Sequence, residues 1–158
     1  MYSNDIKISA IDSTYLKPYQ VSHTTAILQA VLSNRRALDA SDTGTGKSFC
    51  ACSVAYNLEV PFGIICTKAS RGEWIRALDI FKLKPEFIET YEMLRDRETP
   101  YTRYVTVDKK RRFEFNLPEE FLVIVDEEHR CKGLGTFNSR LLKRIKDAGC
   151  YSVALSAT

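Results

Sequence analysis

Residues 40 to 48 read Ala40-Ser41-Asp42-Thr43-Gly44-Thr45-Gly46-Lys47-Ser48, a glycine-rich stretch ending in a lysine and a hydroxyl. Before it, R-A-L-D-A (Arg36 to Ala40) predicts a short buried strand; after it, Phe49 to Leu58 predicts a helix. Strand, glycine-rich turn and helix in that order build a phosphate-binding loop. Gly44 and Gly46 let the backbone curl and turn N–H groups inward without Cβ clashes. The positive end of the helix, which begins near Lys47, favours an anion. Lys47 then supplies a mobile charge to the terminal phosphates, and Ser48 a hydroxyl ligand for Mg²⁺. The strict pattern G-x-x-x-x-G-K-S/T asks for Gly where Ser41 stands, a departure to another small residue.

The bulk numbers suit one compact domain. The chain has 158 residues, 44% hydrophobic and 27% charged, as in ordinary globular proteins. No apolar run approaches membrane-spanning length, and Met1 to Gln20 lacks the apolar core of a signal peptide. The expectation is a cytoplasmic protein, or a nuclear one, that is not secreted and has no membrane partner. Cys50, Cys52, Cys66, Cys131 and Cys150 show no C-x-x-C spacing and read as reduced, mostly buried small hydrophobes. A net charge of +3 permits nucleic acid as a partner without arguing for it.

Outward from the loop, strands and helices alternate. Residues 1–14 form a lead-in, loosely ordered or holding a short strand at Ile6 to Ile11. L-K-P-Y-Q (Leu16 to Gln20) opens a helix with Ile27, Leu28, Val31 and Leu32 on one face and a stop at Asn34. F-G-I-I-C (Phe62 to Cys66) is continuously apolar, as a central strand covered on both faces must be. Ser70 to Phe81 returns to helix, with Trp74, Ile75, Leu78 and Phe81 inward. Glu86 to Thr90 predicts a strand, followed by a helical turn through Met93 and Leu94. Tyr104 to Val107 and Phe113 to Phe115 flank D-K-K-R-R, which suits a hairpin with a basic tip. Phe121 to Val125 is a second apolar strand, and Lys132 to Thr136 a loop. Asn138 to Lys146 is an amphipathic helix with Phe137, Leu141, Leu142 and Ile145 inward and Arg140, Lys143, Arg144 and Lys146 outward, ended by Gly149. Tyr151 to Leu155 is a last strand. This alternation implies an α/β fold: a mostly parallel central sheet with helices on both faces. Ligands in such sheets sit at the C-terminal strand edge.

V-I-V-D-E-E-H (Val123 to His129) delivers carboxylates to that edge. Asp126 is placed to hold Mg²⁺, commonly through water, and Glu127 to orient and deprotonate an attacking water. Phosphoryl transfer needs both a cation and an in-line nucleophile. His129, two residues beyond Glu127, is assigned a coupling role, whereas His23 is read as surface or packing.

Together these stretches resemble the first RecA-like motor domain of superfamily 2 helicases and nucleic-acid translocases, over nearly the whole chain. The loop matches motif I, I-I-C-T-K-A-S-R-G-E-W (Ile64 to Trp74) resembles motif Ia, T-Y-E-M-L (Thr90 to Leu94) the segment after it, D-E-E-H a D-E-x-H motif II, and L-S-A-T (Leu155 to Thr158) motif III. L-K-P-Y-Q, the C-T-K-A-S…W pattern and D-E-E-H-R-C-K-G are similar to Swi/Snf-type and related phage or viral DNA translocases; S-A-T is commoner in true helicases.

The resemblance implies ATP and Mg²⁺ as cofactors. It implies a nucleotide held by Gln20 (at adenine), Thr43, Gly44, Thr45, Gly46, Lys47, Ser48 and Phe49, with Ser48 and Asp126 at the metal. Lys47, Asp126, Glu127 and His129 would be catalytic, and Ser156 and Thr158 would couple the site to movement. Nucleic acid, with DNA favoured over RNA, would run along Thr67, Lys68, Ser70, Arg71 and Thr90, touching the phosphate backbone; Ser70 also suits a helix cap there. The basic tip Lys109 to Arg112 reads equally as a duplex contact or a solvated turn. A second RecA-like domain with arginine fingers would form the other wall of the cleft, so the chain reads as one 1–158 domain of a longer protein and alone would turn over slowly. The competing readings are an unrelated P-loop NTPase or kinase, and a non-catalytic nucleic-acid-binding scaffold of the same fold.

Overall fold

The computed structural model describes residues 14–127 and 136–156. The strand expected at Ile6 to Ile11, most of the 132–136 loop, and His129, Cys131 and Thr158 lie outside the described residues. Helix α1 is Pro18–Asn34, β1 Arg36–Asp39, α2 Lys47–Leu58, β2 Phe62–Cys66, α3 Arg71–Phe81 and β3 Phe87–Thr90. Then follow α4 Tyr91–Asp96, β4 Thr102–Val107, β5 Lys110–Phe115, β6 Leu122–Val125, α5 Phe137–Ala148 and β7 Tyr151–Leu155.

Five strands form one parallel sheet in the order β1-β7-β6-β2-β3. Strand alternation splits the core in two. Ile64, Leu122, Ile124, Val153 and Leu155 pack with α1, α2 and α3. Ile65, Val123 and Val125 face the other way, onto Leu141 and Ile145 of α5 and Phe113 and Phe115 of β5. The α/β class and the two apolar strands are as the sequence implies. Cys50, Cys52, Cys66 and Cys150 are free and buried. Burial pushes the Cys52 thiol up to about 12 and those of Cys66 and Cys150 to about 11, so they behave as small hydrophobes.

Several details differ from the sequence expectations. Strand β1 is not buried: in the described sheet only β7 pairs with it, and Leu38 is 60% exposed. In α1 the buried face runs Gln20, Thr24, Ile27, Leu28 and Val31, leaving Leu32 outside. The physical reason is at the start of the helix, where Gln20 and Thr24 are drawn inward and rotate the stripe. In α3 Ala77, not Ile75, fills the inner face. The hairpin turn is only Asp108-Lys109, both left-handed (φ 49° and 63°), as a two-residue turn matching strand twist requires. Lys110, Arg111 and Arg112 therefore belong to the strand ladder of β5, paired with Val107, Thr106 and Val105, and not to a loop tip. Arg144 is not solvated either; its side chain is 14% exposed and ion-paired to Asp147 at 3.1 Å.

Gly63 of β2 lies opposite Phe87 of β3, whose ring stacks on Phe121 with centroids 6.0 Å apart. A Cβ at Gly63 would enter the Phe87 ring. Gly63→Ala is expected to destabilise the fold by about 1–3 kcal/mol through overpacking, read as a lower urea midpoint at unchanged slope.

Candidate nucleotide site

The loop after β1 is held by its own polar groups. Asp39 ends the strand with a fully buried side chain. Its Oδ1 accepts the Ser41 N–H at 3.0 Å and lies 3.0 Å from His23 Nε2 of α1. Burial alone would raise the Asp39 carboxyl, but the Ser41 hydrogen bonds and His23 outweigh it and hold the group below its usual value. Thr45 donates its hydroxyl to the Asp42 carbonyl at 2.8 Å, and the Ser41 and Thr45 hydroxyls are 3.0 Å apart. Ser41, the departure from the strict pattern, is thus a brace across the loop.

Gly44 and Gly46 take φ 77° and 81°, where a side chain would be strained. At Gly46 a Cβ would also strike the Gln20 amide nitrogen. Gln20 Nε2 donates to the Thr45 carbonyl at 2.8 Å, while its Oε1 accepts the Lys17 N–H at 2.8 Å. Both ends of this buried amide are engaged, so in this conformation Gln20 braces the loop. Lys47 Nζ donates to the carbonyls of Ser41 (2.7 Å) and Asp42 (2.9 Å), spanning the loop from within.

Across the sheet edge, Asp126 follows β6, its N–H donating to the Ile65 carbonyl at 2.8 Å. Its Oδ2 accepts the Trp74 indole N–H (2.9 Å), its Oδ1 the Glu127 N–H (2.9 Å), and its carbonyl the Tyr91 hydroxyl (2.6 Å). Trp74 and the next peptide therefore fix the carboxylate, and Tyr91 the backbone that carries it. Glu127 has φ 54°, a sparsely populated conformation for a non-glycine residue and one concentrated at functional sites. Ser48, at the start of α2, donates to Glu73 Oε1 at 3.1 Å.

A cleft of about 180 Å³ is bounded by Thr43, Gly44, Gly46, Lys47, Ser48, Glu73, Trp74, Asp126 and Glu127. The fold thus brings together the loop and acidic residues singled out in the sequence. It also adds Glu73 and Trp74, with Tyr91 behind them. The Ser70-x-x-Glu73 spacing was a signal for Glu73, but as a helix-cap pattern; only folding turns that carboxylate toward Ser48. The Trp74 indole is apolar by composition, so its helix periodicity conceals its polar edge.

Other predicted site residues fall elsewhere. Phe49 turns its ring to Phe81 (5.8 Å between centroids) and joins the helical core instead of the cleft. Thr67 and Thr90 are buried, 5% and 6% exposed, and cap backbone: Thr67 Oγ1 accepts the Ser70 N–H (3.1 Å) and Thr90 Oγ1 the Met93 N–H (3.2 Å). Ser70 precedes α3 without forming a side-chain cap bond. Lys68 and Arg71 are exposed beside them. Ser156 is buried and donates its N–H to the Asp39 carbonyl at 2.9 Å; its hydroxyl has no partner among the described residues. His23, read as packing, instead sits on Asp39.

Comparison with known proteins agrees with the fold. Two structures of the SWI2/SNF2 ATPase core of Sulfolobus solfataricus superpose on the chain. One, in complex with dsDNA, has a TM-score of 0.62 at 21% identity over 90% of this chain and 32% of its own. The other gives 0.59 at 18% identity over 99% and 32%. A mimivirus protein (Acanthamoeba polyphaga mimivirus) named a "putative ATP-dependent RNA helicase" is 32% identical over 92% of this chain. The chain has the fold of part of the SWI2/SNF2 ATPase core. It spans about a third of the length of these relatives, 31% of the mimiviral one. No protein-family model matches it.

Asp39 offers a pH test of how the fold supports its loop. Because its folded pKa is depressed, its contribution is full above the ordinary 3.8 and is lost as pH falls through the folded value. Asp39→Asn is expected to cost about 1–3 kcal/mol at pH 7, with the gap in melting temperature closing below that value.

Proposed function

We propose that the chain is the ATP-binding half of a nucleic-acid-dependent ATPase motor, a helicase or DNA translocase. The observation that carries this reading is that Lys47, Ser48, Asp126 and Glu127 line one cleft. The N–H groups of the loop and the N-terminus of α2 bind the phosphates. Lys47 exchanges the carbonyls of Ser41 and Asp42 for the β- and γ-phosphates. The Ser48 hydroxyl and Asp126 carboxylate form a hard-oxygen donor set that fits Mg²⁺, which favours few protein ligands beside water and phosphate. Mg²⁺ there would offset charge on the transferred phosphoryl group. Glu127 orients and deprotonates the attacking water. A hollow of about 370 Å³ lined by Tyr19, Gln20, His23 and Thr45 adjoins the loop and suits the base.

The rest of the motor reading concerns the longer protein. A second RecA-like domain supplies arginine fingers worth on the order of a thousand-fold or more in rate, and Ser156, Thr158 and His129 transmit the nucleotide state. Lys68 and Arg71 contact the nucleic-acid backbone. We take DNA as the ligand, in keeping with the dsDNA complex of the Sulfolobus core; the mimiviral name points to RNA, so both belong in the test.

Phosphate release by the full-length protein should rise with added duplex DNA and fall at least a hundred-fold in Lys47→Ala and Glu127→Gln. Hydrolysis that neither DNA nor RNA stimulates would favour a P-loop kinase or other NTPase. Full biological activity in both variants would favour a non-catalytic scaffold.

A further inference from the structure

The sequence shows two basic features that look unrelated: K-K-R-R in the hairpin and the arginines of α5. The structure joins them. A cleft of about 490 Å³ opens between β4–β5 and α5, bounded by Tyr104, Lys110, Arg111, Arg112, Arg140 and Arg144 among others. Its floor is aromatic and rigid: Phe113 meets Tyr104 edge-on at 5.6 Å and Phe137 at 5.0 Å. The Arg111 guanidinium lies 4.0 Å from the centre of the Tyr104 ring, a cation–π contact that holds its fork in place.

The acids nearby do not balance these cations. Arg112 and Arg144 share a single carboxylate, Asp147, at 3.5 and 3.1 Å. Glu114 lies 3.6 Å from Arg112 Nε and 3.7 Å from Arg103, yet that buried Nε has no hydrogen-bond partner. Asp108 sits in the turn. Among the described residues, Lys110 and Arg140 have no carboxylate partner, and both are exposed. The hairpin is also tied to the helix that follows the proposed track. The Tyr104 hydroxyl donates to the Arg95 carbonyl of α4 at 2.8 Å, and α4 is capped by Thr90, opposite Cys66 next to Thr67. Four residues separate Thr90 from Arg95, a rise of about 8 Å at 1.5 Å per residue.

We infer that the β4–β5 hairpin and α5 form a second phosphodiester-binding cleft, which carries the nucleic-acid backbone past α4. Arg111, Lys110 and Arg140 make the phosphate contacts, the guanidiniums in bidentate fashion, and the contacts read no bases. This rests on the nucleic-acid reading above. Single strand and duplex share the chemistry, so both are tested.

Binding of fluorescein-labelled single-stranded and duplex oligonucleotides to the full-length protein is followed by anisotropy across a salt series, beside circular-dichroism melts. The variants are Lys110→Ala/Arg111→Ala/Arg140→Ala and, for the first track, Lys68→Ala/Arg71→Ala. The first set should weaken binding on the order of ten- to a hundred-fold at 0.1 M salt and flatten the slope by about two to three for duplex, slightly less for single strand. The second set should act independently of the first. In the unmodified protein, bound oligonucleotide should shield Lys109 and Lys110 from acetylation, a readout that needs no variant. Unchanged affinity and slope in the first set with a loss in the second overturns the cleft and leaves the motor standing. Shielding by polyglutamate but not by oligonucleotide overturns it in favour of an acidic protein partner. If the unmodified protein binds no oligonucleotide, the motor reading falls and the cleft with it.

Discussion

The parallel register of the sheet sets Asp39 opposite Leu155, Leu38 opposite Ala154, and Ile65 opposite Val125. Parallel strands all deliver the chain at the same edge, so the loop after β1, the Asp126-Glu127 turn after β6 and Ser156 after β7 emerge together. Residues separated by about half the chain thereby share one cleft. The register bonds extend into the site itself: Asp126 donates to Ile65, and Ser156 to the carbonyl of Asp39. Helices α1 and α3 then close that edge from the same face of the sheet.

Within the cleft the polar groups hold one another in place. The loop carbonyls are taken up by Lys47 and Gln20, and Asp126 is held by Trp74, Tyr91 and the next peptide. A carboxylate fixed in this way costs no reorganisation when charge develops beside it, whereas Lys47 is free to act on another group only after releasing the Ser41 and Asp42 carbonyls. The carboxylate of Asp39 ties α1 to the loop through His23 and Ser41, while its backbone carbonyl accepts the Ser156 N–H beyond β7. Its buried charge persists because Ser41 and His23 compensate for lost hydration.

The two faces of the sheet divide the remaining work. The α1–α3 face braces the nucleotide cleft, while the opposite face carries the hairpin and α5 on an aromatic floor. Phe113 and Phe115 belong to the core there, so the hairpin's cationic ladder is mounted on packed side chains and not on a mobile tip. A net charge of +3 over the chain conceals this concentration, because charge in sequence carries no information about which face receives it.

Ala40 to Ser48 and Val123 to His129 by themselves pointed to Lys47, Ser48, Asp126 and Glu127, which line the cleft, and the alternation of apolar strands with helices pointed to the class of fold. Glycines before a lysine and carboxylates after an apolar strand are local requirements, and local requirements are written in consecutive residues. Apolar periodicity likewise placed β2, β6 and most helices. Tertiary structure alone decided that Leu32 and Ile75 face outward and Phe49 packs on Phe81, since each lies at the margin of a helical stripe whose rotation depends on neighbours. It also decided that Glu73 reaches Ser48, that Trp74 holds Asp126, and that Thr67 and Thr90 cap backbone instead of projecting to a ligand. Those roles depend on pairings between distant segments, and a one-dimensional pattern specifies only the residues available to make them.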